Sequence, residues 1–214
     1  MKIGILGSGL MGAKLGTIWA KVGHEVVFSY SRSEKKLQKL AKDGGPNAKA
    51  GTPAEAAAKA DALLLAVHWT RVDDVLKQAG DLSKKVIVSC SLPMSADDSD
   101  LVLGLTTSGI EELAKKVPKA ALVSAFNTVP SEVLFGVFEA RRRKTKPSLV
   151  FCGDSAKAKK VAVQLIEDVG FEPVDAGPLK IARYTEPCAL LVAQLAYRGK
   201  GGPELAYRFE RYRK

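Results

Sequence analysis

Short apolar runs alternate with amphipathic segments along the whole chain. Runs that are apolar at nearly every position are typical of parallel strands covered on both faces, and the amphipathic segments between them have helical spacing. The alternation predicts right-handed βαβ units, and hence an α/β fold with a Rossmann-type, doubly wound, mostly parallel sheet of about eight strands. The predicted strands are KIGILG, HEVVFSY, residues 48–50, ADALLLAVHW, KVIVSC, KAALVSAF, PSLVFCG and EPVDAG.

Capping residues mark where two of the predicted helices begin. Ser31 and Glu34 have the spacing of a capping box before the second helix. Thr52 precedes a third helix, with Pro53 at its first position and Glu55 where a second capping box requires an acid. These signals predict helix starts at the carboxyl ends of the second and third strands.

The first strand leads into the glycine-rich stretch GILGSGLMG, which fits the pattern G-x-G-x-x-G. Gly7 permits a tight turn, Gly9 lets the backbone approach a pyrophosphate, and Gly12 lets the helix pack closely on the strand. The alternative is a tight strand-to-helix turn with no ligand. The position of GILGSGLMG between an apolar strand and a helix favours a dinucleotide-binding turn. The predicted pyrophosphate-binding residues are Gly7, Ser8, Gly9, Leu10, Met11 and Gly12.

The end of the second strand lacks the carboxylate that an NAD-preferring site places there, since the first acid is Glu34. Ser31, Arg32 and Ser33 occupy that region instead. An arginine pairs with a 2′-phosphate, and serine hydroxyls donate to it. The stretch therefore predicts NADP rather than NAD as the cofactor. The alternative is that Ser31 only caps the helix and Arg32 is solvated.

Further candidate residues follow the fourth, fifth and sixth predicted strands, where ligands bind in this architecture. His68 is the one candidate for a catalytic role, as a positioning residue; the alternative is a hydrogen-bonded histidine with no role in proton transfer. Asn127 and Thr128 have the alternative of capping a helix before Pro130. The residues expected around the nicotinamide are Ala66, Val67, His68, Trp69, Ser91, Leu92, Pro93, Ala125, Phe126 and Asn127.

Composition narrows the class of protein. The 214 residues carry a formal net charge of +10, which attracts anions, but no nucleic-acid motif is visible. No apolar run approaches the roughly 20 residues of a membrane span, and no signal peptide or metal-binding spacing is seen. The three scattered cysteines favour a reduced, cytoplasmic protein. The basic run 141–146, Arg141 to Lys146, is either a solvated loop or a site for an anionic substrate.

Hydrolase and nucleotide-triphosphatase motifs are absent from the sequence. Hydride transfer between two bound cofactors needs only their proximity, so an oxidoreductase is compatible with this absence. We expect residues 1–177 to form the NADP-binding domain, and residues 178–214 to form a C-terminal helix and tail packed on it.

The motifs KIGILGSGLMG, SRS, LAVHW, VIVSCSLP and VSAFNTVP resemble those of the NADPH-dependent reductases of coenzyme F420, a deazaflavin. The resemblance extends to VFCGDSAKAKKVAVQLIEDVGFEPVDAGPLKIARYTEP and the terminal LAYRGKGG, and so covers nearly the whole chain. In that family NADP lies on the glycine loop, and its 2′-phosphate meets a Ser-Arg pair, here Ser31 and Arg32. The deazaflavin lies against the nicotinamide, in a cleft closed by the C-terminal segment.

The resemblance implies a homodimeric oxidoreductase that transfers a hydride between NADP(H) and a flavin-like acceptor, most of all coenzyme F420. The family usually has Pro-Trp where this chain has His68–Trp69, which leaves the acceptor open. One alternative is an NADPH-dependent flavin or ferric reductase, because the ferric reductase domains of a membrane protein family share this fold. The other is a non-catalytic NADP-binding sensor.

Overall fold

The computed structural model describes residues 1–212; Arg213 and Lys214, the end of the predicted C-terminal segment, lie outside the described residues. Eight strands alternate with helices, as the apolar pattern predicts. The strands are β1 Lys2–Leu6, β2 Glu25–Ser29, β3 Ala48–Ala50, β4 Ala62–Leu65, β5 Val86–Ser89, β6 Ala121–Ser124, β7 Ser148–Gly153 and β8 Glu172–Asp175. The helices are α1 Leu10–Lys21, α2 Glu34–Gly44, α3 Pro53–Ala58, α4 Val72–Ala79, α5 Gly109–Lys116, α6 Val133–Glu139, α7 Ala156–Val169 and α8 Ala182–Tyr197.

The strands form one sheet in the order β3-β2-β1-β4-β5-β6-β7-β8. Strands β1 to β6 pair in parallel, β7 is antiparallel to β6, and β8 is parallel to β7. All four residues of β4 are buried, as expected for a central strand covered by helices on both faces. The predicted Rossmann-type, mostly parallel α/β fold is therefore confirmed.

Two apolar clusters cover the two faces of the sheet. Residues of α1, α6 and α7 belong to one cluster, and residues of α3, α4 and α5 belong to the other. Trp19 is fully buried in the first cluster, where its indole N–H donates to the carbonyl of Leu165 at 3.0 Å. Its ring meets Phe126 edge to face at 5.9 Å. These contacts hold α1, which begins at the glycine turn, firmly against α7 and β6.

The two predicted capping boxes have different outcomes. Thr52 and Glu55 form a reciprocal box at the start of α3. The box at Ser31 and Glu34 is wrong, because α2 begins at Glu34 and its N-cap is Ser33, whose hydroxyl accepts from the backbone N–H of Lys36 at 3.3 Å. The chain from Ser31 to Ser33 is still loop, and the Ser31 hydroxyl accepts from the N–H of Ser33 at 3.2 Å.

Two other boundaries differ from the sequence prediction. Strand β4 ends at Leu65, so His68 precedes a short 3₁₀ turn at Trp69–Arg71 and does not end a strand. Helix α6 is preceded by Glu132 at its N-cap position, so Asn127 and Thr128 do not cap it. Both segments, 66–71 and 125–132, are loops at the carboxyl ends of their strands.

Helix α8 joins the starts of two helices. Both carboxylate oxygens of Glu186 accept backbone N–H groups of Gly109 and Ile110, the first residues of α5, at 2.8 and 3.1 Å. At the end of α8, the hydroxyl of Tyr197 donates to Glu132 at 2.8 Å, directly before α6. Because α5 and α6 follow β5 and β6 and pack on opposite faces of the sheet, α8 crosses the carboxyl edge there.

The C-terminal segment is held by further contacts. Arg183 donates through two nitrogens to the carboxylate of Glu111, at 2.7 and 2.9 Å. The hydroxyls of Tyr207 and Thr128 are 2.7 Å apart. The domain boundary at residue 177 stays a prediction. Within residues 1–212 no helix is both long and apolar enough to cross a membrane.

Candidate functional site

The glycine turn between β1 and α1 leaves open space at only one of its three glycines. A Cβ atom on Gly7, whose φ is +118°, would lie 2.4 Å from the carbonyl oxygen of Ala66, and one on Gly12 would lie 1.9 Å from that of Gly7. A Cβ on Gly9 would meet nothing within 4 Å. Gly7 and Gly12 are therefore required by packing, whereas the space beside Gly9 is open to a ligand.

The start of α1 is available to an anion. Gly9 is the N-cap residue, and no side chain accepts the N–H groups of the first turn. Such N–H groups and the positive end of the helix dipole favour a phosphate. The hydroxyl of Ser8 is buried and donates to the carbonyl of Ser29 at 2.8 Å, which fixes the turn against β2.

A cleft of about 730 Å³ runs from this turn across the carboxyl ends of β2 and β4. It brings together residues that sequence reasoning proposed for the pyrophosphate, the 2′-phosphate and the nicotinamide ribose. The predicted residues that line it are Gly7, Ser8, Gly9, Ser31, Arg32, Ser33, Ala66, Val67 and His68. Other lining residues were not among the predicted site residues: Tyr30, Lys36, Leu37, Gly51, Thr52, Pro53, Arg71, Asp74 and Gln78.

The charged residues lining this cleft are mostly basic. Arg32, Lys36 and Arg71 carry positive charge, and Asp74 is the one carboxylate on the lining. Ser33 caps α2 at the same place, so the helix start adds backbone N–H groups and a positive dipole end. The end of β2 is therefore suited to a phosphate.

Tyr30 is the functional candidate that sequence reasoning missed most clearly. It directly follows β2 in a left-handed conformation, with φ at +56°. Its hydroxyl donates to Asp74 at 2.5 Å. Burial, together with this hydrogen bond, raises the pKa of Tyr30 to about 12, so the hydroxyl stays a donor at neutral pH. The available sequence signal was the spacing of Asp74 and Gln78, which puts both on one face of α4.

His68 bridges two loops at the carboxyl edge. Its Nδ1 accepts the backbone N–H of Thr70 at 3.2 Å and lies 2.8 Å from the Thr70 hydroxyl. With Nδ1 as acceptor, Nε2 carries the proton and faces the carbonyl of Ser95 at 3.2 Å and Asp98 at 3.1 Å. Both nitrogens thus have partners within the chain, an arrangement suited to positioning.

The loop after β5 is tied to the loop after β4. The hydroxyl of Ser91 donates to the carbonyl of Val67 at 2.8 Å. Pro93 is buried and would lie 2.9 Å from a Cβ added to Gly109, so the loop packs on the start of α5. These contacts bring Ser91 beside the cleft residue Val67, although Ser91, Leu92 and Pro93 do not line the cleft.

The residues after β6 contribute differently from the expectation. Ala125 and Phe126 are fully buried, with their side chains in the core, and Phe126 is left-handed at φ +64°. The side-chain amide of Asn127 donates to Ser124 at 3.0 Å. Only the backbone of Ala125 and Phe126 is therefore available for a ligand at this edge.

Four more predicted site residues lie outside the cleft lining: Gly12, which packs on the carbonyl of Gly7, and Leu10, Met11 and Trp69. Leu10 is 68% exposed at the start of α1, and Met11 packs against the core. Trp69 packs against the cluster under α3 and α4. The predicted nicotinamide residues are thus divided: Ala66, Val67 and His68 line the cleft, and the others surround it or lie in the core.

The basic run 141–146 does not line the cleft. The guanidinium of Arg141 lies 4.0 Å from the ring centre of Phe138 and donates to its carbonyl. The carbonyl of Lys146 accepts from Arg208. These contacts are typical of a surface loop. Within residues 1–212 no group of three or more His, Cys, Asp or Glu is arranged to hold a metal ion.

Comparison with known proteins connects this geometry to a family. Residues 2–93, which include β1 to β5 and the cleft, match the family model described as NADP oxidoreductase coenzyme F420-dependent. The rat (Rattus norvegicus) protein Metalloreductase STEAP3 is 30% identical over 190 residues, which is 88% of this chain and 36% of that protein. The chain thus spans about a third of the length of this curated relative.

Solved structures share the fold over the whole chain. A protein from Arthrobacter sp. FB24, described as a putative F420-dependent NADP-reductase, has a TM-score of 0.85 and 24% identity, and the match covers 99% of this chain and 100% of that one. A hypothetical protein from Sinorhizobium meliloti has a TM-score of 0.73 and 25% identity, covering 98% and 96%. The family model that matches residues 2–93 is therefore the one that the sequence motifs resemble, and the expected resemblance is confirmed over that part of the chain.

Proposed function

We propose that this protein binds NADP(H) along the carboxyl edge of its sheet and transfers a hydride between it and a flavin-like acceptor, most of all coenzyme F420. The observation that carries the proposal is the basic subsite at the end of β2. Arg32, Ser33 and Lys36 surround the start of α2 in the same cleft as the glycine turn. An arginine next to helix-start N–H groups matches a phosphate on the adenosine ribose.

The proposed cofactor extends from α2 across the glycine turn to the ends of β4, β5 and β6. Its 2′-phosphate lies at Ser31, Arg32 and Ser33, and its pyrophosphate lies at the start of α1. Contacts to the nicotinamide come from three loops. These contacts are Ala66, Val67, His68 and Trp69 after β4, Ser91, Leu92 and Pro93 after β5, and Ala125, Phe126 and Asn127 after β6.

In this proposal the cofactors supply the hydride chemistry, and the chain binds and orients them. His68 acts as a positioning residue, because its Nε2 connects the loop after β4 to Ser95 in the loop after β5, while its Nδ1 accepts the N–H of Thr70 within its own loop. The chain contributes no nucleophile. A close approach of donor and acceptor rings accounts for a large part of such a rate enhancement.

Helix α8 supports an acceptor site beyond the nicotinamide. It crosses the carboxyl edge between the starts of α5 and α6, where contacts of Glu186 and Tyr197 hold it. Leu10 projects from α1 at the same edge. The exposed apolar side chain of Leu10 suits contact with a flat, largely apolar acceptor ring.

A second candidate function is an NADPH-dependent flavin or ferric reductase. The observation that favours it is the 30% identity to a metalloreductase over most of this chain. A non-catalytic NADP-binding sensor is the remaining alternative. All three share the proposed cofactor site and differ in the acceptor.

An acceptor screen with NADPH tests the proposal. Oxidation of NADPH is followed by absorbance with coenzyme F420, flavin mononucleotide, flavin adenine dinucleotide or a ferric chelate. We expect turnover with coenzyme F420, and loss of it in Gly9→Ala, which adds a methyl group where the pyrophosphate approaches. Turnover with a flavin or ferric chelate alone identifies the second candidate. Tight NADPH binding without turnover identifies the sensor.

We also propose that the protein is a homodimer. The support is the family resemblance and the outward face of α8, where Tyr184, Leu191 and Leu195 are 62%, 59% and 55% exposed. Apolar residues repeated at this spacing suit packing against another helix. Sedimentation velocity measures the mass directly, and a monomer at micromolar concentration would contradict the proposal.

A further inference from the structure

One face of α4 lines the cleft opposite Arg32. Asp74 and Gln78 lie four residues apart on one side of α4, and Arg71, directly before the helix, lines the cleft with them. A polar helix face is usually only solvated. Here, however, the face is connected to the end of β2 through a side-chain hydrogen bond and shares the cleft with the proposed 2′-phosphate subsite.

Asp74 is held in place by two donors. The hydroxyl of Tyr30 and the amide of Gln78 donate to its Oδ2 at 2.5 and 3.1 Å. These two hydrogen bonds lower the pKa of Asp74, and Arg71 and Lys77 lower it further, so the carboxylate is charged at neutral pH. Tyr30 adopts a left-handed backbone conformation, a strained state that is enriched at functional sites.

Arg71 is free to meet a ligand. It is exposed, makes no side-chain cap, and forms no ion pair within residues 1–212. Both Arg71 and Arg32 lie close enough to the Tyr30 hydroxyl for their charges to lower its pKa, against the larger effect of burial. Two guanidinium groups, one directly before α4 and one in the loop before α2, therefore line the same cleft.

The charge balance of the cleft fits a dianion. Three cationic side chains, Arg32, Lys36 and Arg71, face one carboxylate, Asp74, which leaves two positive charges. A phosphate monoester carries about −1.5 to −2 charges at neutral pH. Without Arg71 the balance falls to one positive charge, so a smaller part of the phosphate charge is neutralised.

We propose that Arg71 is the second arm of a two-arginine clamp, with Arg32 as the first, that selects a 2′-phosphorylated adenosine. The proposal rests on the proposed function, since it concerns the same cofactor site. The hydrogen bonds among Tyr30, Asp74 and Gln78 fix the face of α4 beside Arg71. Arg71 is thus a specificity-determining residue.

Calorimetry with two cofactor fragments tests the clamp: adenosine 2′,5′-bisphosphate, which carries the 2′-phosphate, and 5′-AMP, which differs only in lacking it. In Arg71→Ala we expect binding of the bisphosphate to weaken about 10- to 100-fold, the effect of losing a charge-assisted bond. Binding of 5′-AMP should weaken less than about threefold. Lys77→Ala removes the same charge from an exposed position of α4 off the cleft lining, and should change neither affinity by more than about twofold.

The outcomes separate the clamp from the cofactor assignment. If the unmodified protein binds both fragments equally well, the NADP proposal fails, and the clamp fails with it. If it prefers the bisphosphate and Arg32→Ala abolishes that preference while Arg71→Ala does not, only the clamp is refuted. Equal weakening of both fragments in Arg71→Ala also refutes the clamp, because the residue would then contact a part that they share.

Discussion

Glu186 is a buried carboxylate whose titration should be visible in the stability of the protein. It is 1% exposed and accepts the first two N–H groups of α5. Burial raises its pKa from 4.5 to about 7, and the two backbone hydrogen bonds oppose this rise. The folded protein therefore holds this proton more tightly than the unfolded chain does, so stability decreases as pH rises from about 4.5 to about 7.

The free energy of unfolding decreases by 1.36 kcal/mol per pH unit over that interval, which gives a total loss of about 3 kcal/mol. The stabilisation that Glu186 contributes is fully present below the pKa it has in the unfolded chain, and it is lost as pH rises through the pKa it has in the folded protein. Glu186→Gln removes the titrating group and keeps its shape. Between about pH 4.5 and pH 7 we expect the unmodified protein to lose about 3 kcal/mol relative to this variant.

Urea unfolding followed by circular dichroism and tryptophan fluorescence measures this difference at each pH, at fixed protein concentration. Agreement of the two signals checks that unfolding is two-state. Glu204→Gln removes an exposed carboxylate from the C-terminal tail and should run parallel to the unmodified protein. Subtracting the profiles isolates Glu186 from the other groups that titrate in this range.

Two results would refute the reasoning. A constant difference between the unmodified protein and Glu186→Gln means that burial does not perturb this carboxyl group. A difference of the opposite sign, with the unmodified protein gaining stability as pH rises, means that the two N–H groups and the α5 dipole outweigh burial.

The remaining predictions concern the cofactor site. Gly12→Ala should destabilise the fold by about 1–3 kcal/mol, because its Cβ would lie 1.9 Å from the carbonyl oxygen of Gly7. Thermal unfolding checks this, with Gly9→Ala as the matched control that should unfold like the unmodified protein; equal effects would contradict the packing argument. Arg32→Ala should cost about 1–3 kcal/mol in NADP affinity and leave NAD affinity nearly unchanged, as measured by calorimetry, and an equal loss for both would remove the 2′-phosphate assignment.

Much of the fold could be predicted because its signals are local. The wholly apolar run at β4 and the Thr52–Glu55 capping box each depend on only a few neighbouring residues. The choice of Ser33 over Ser31 as the N-cap could not be predicted, since both are serines and the path of the loop after β2 decides which hydroxyl reaches the helix. The early end of β4 at Leu65 has a similar cause, because sheet pairing ends there while the apolar run continues.

The sequence by itself determined the succession of strands and helices along the chain, the glycine turn and the basic character of the loop before α2. It could do so because secondary-structure propensity, hydrophobic period and local charge are properties of neighbouring residues. Only the tertiary structure decided that Tyr30 and Asp74, 44 residues apart, meet in one cleft. They meet because β2 and β4 flank β1, which brings the end of β2 beside α4. The burial of Phe126 in the core and of Glu186 at the start of α5 likewise arises from packing between distant segments.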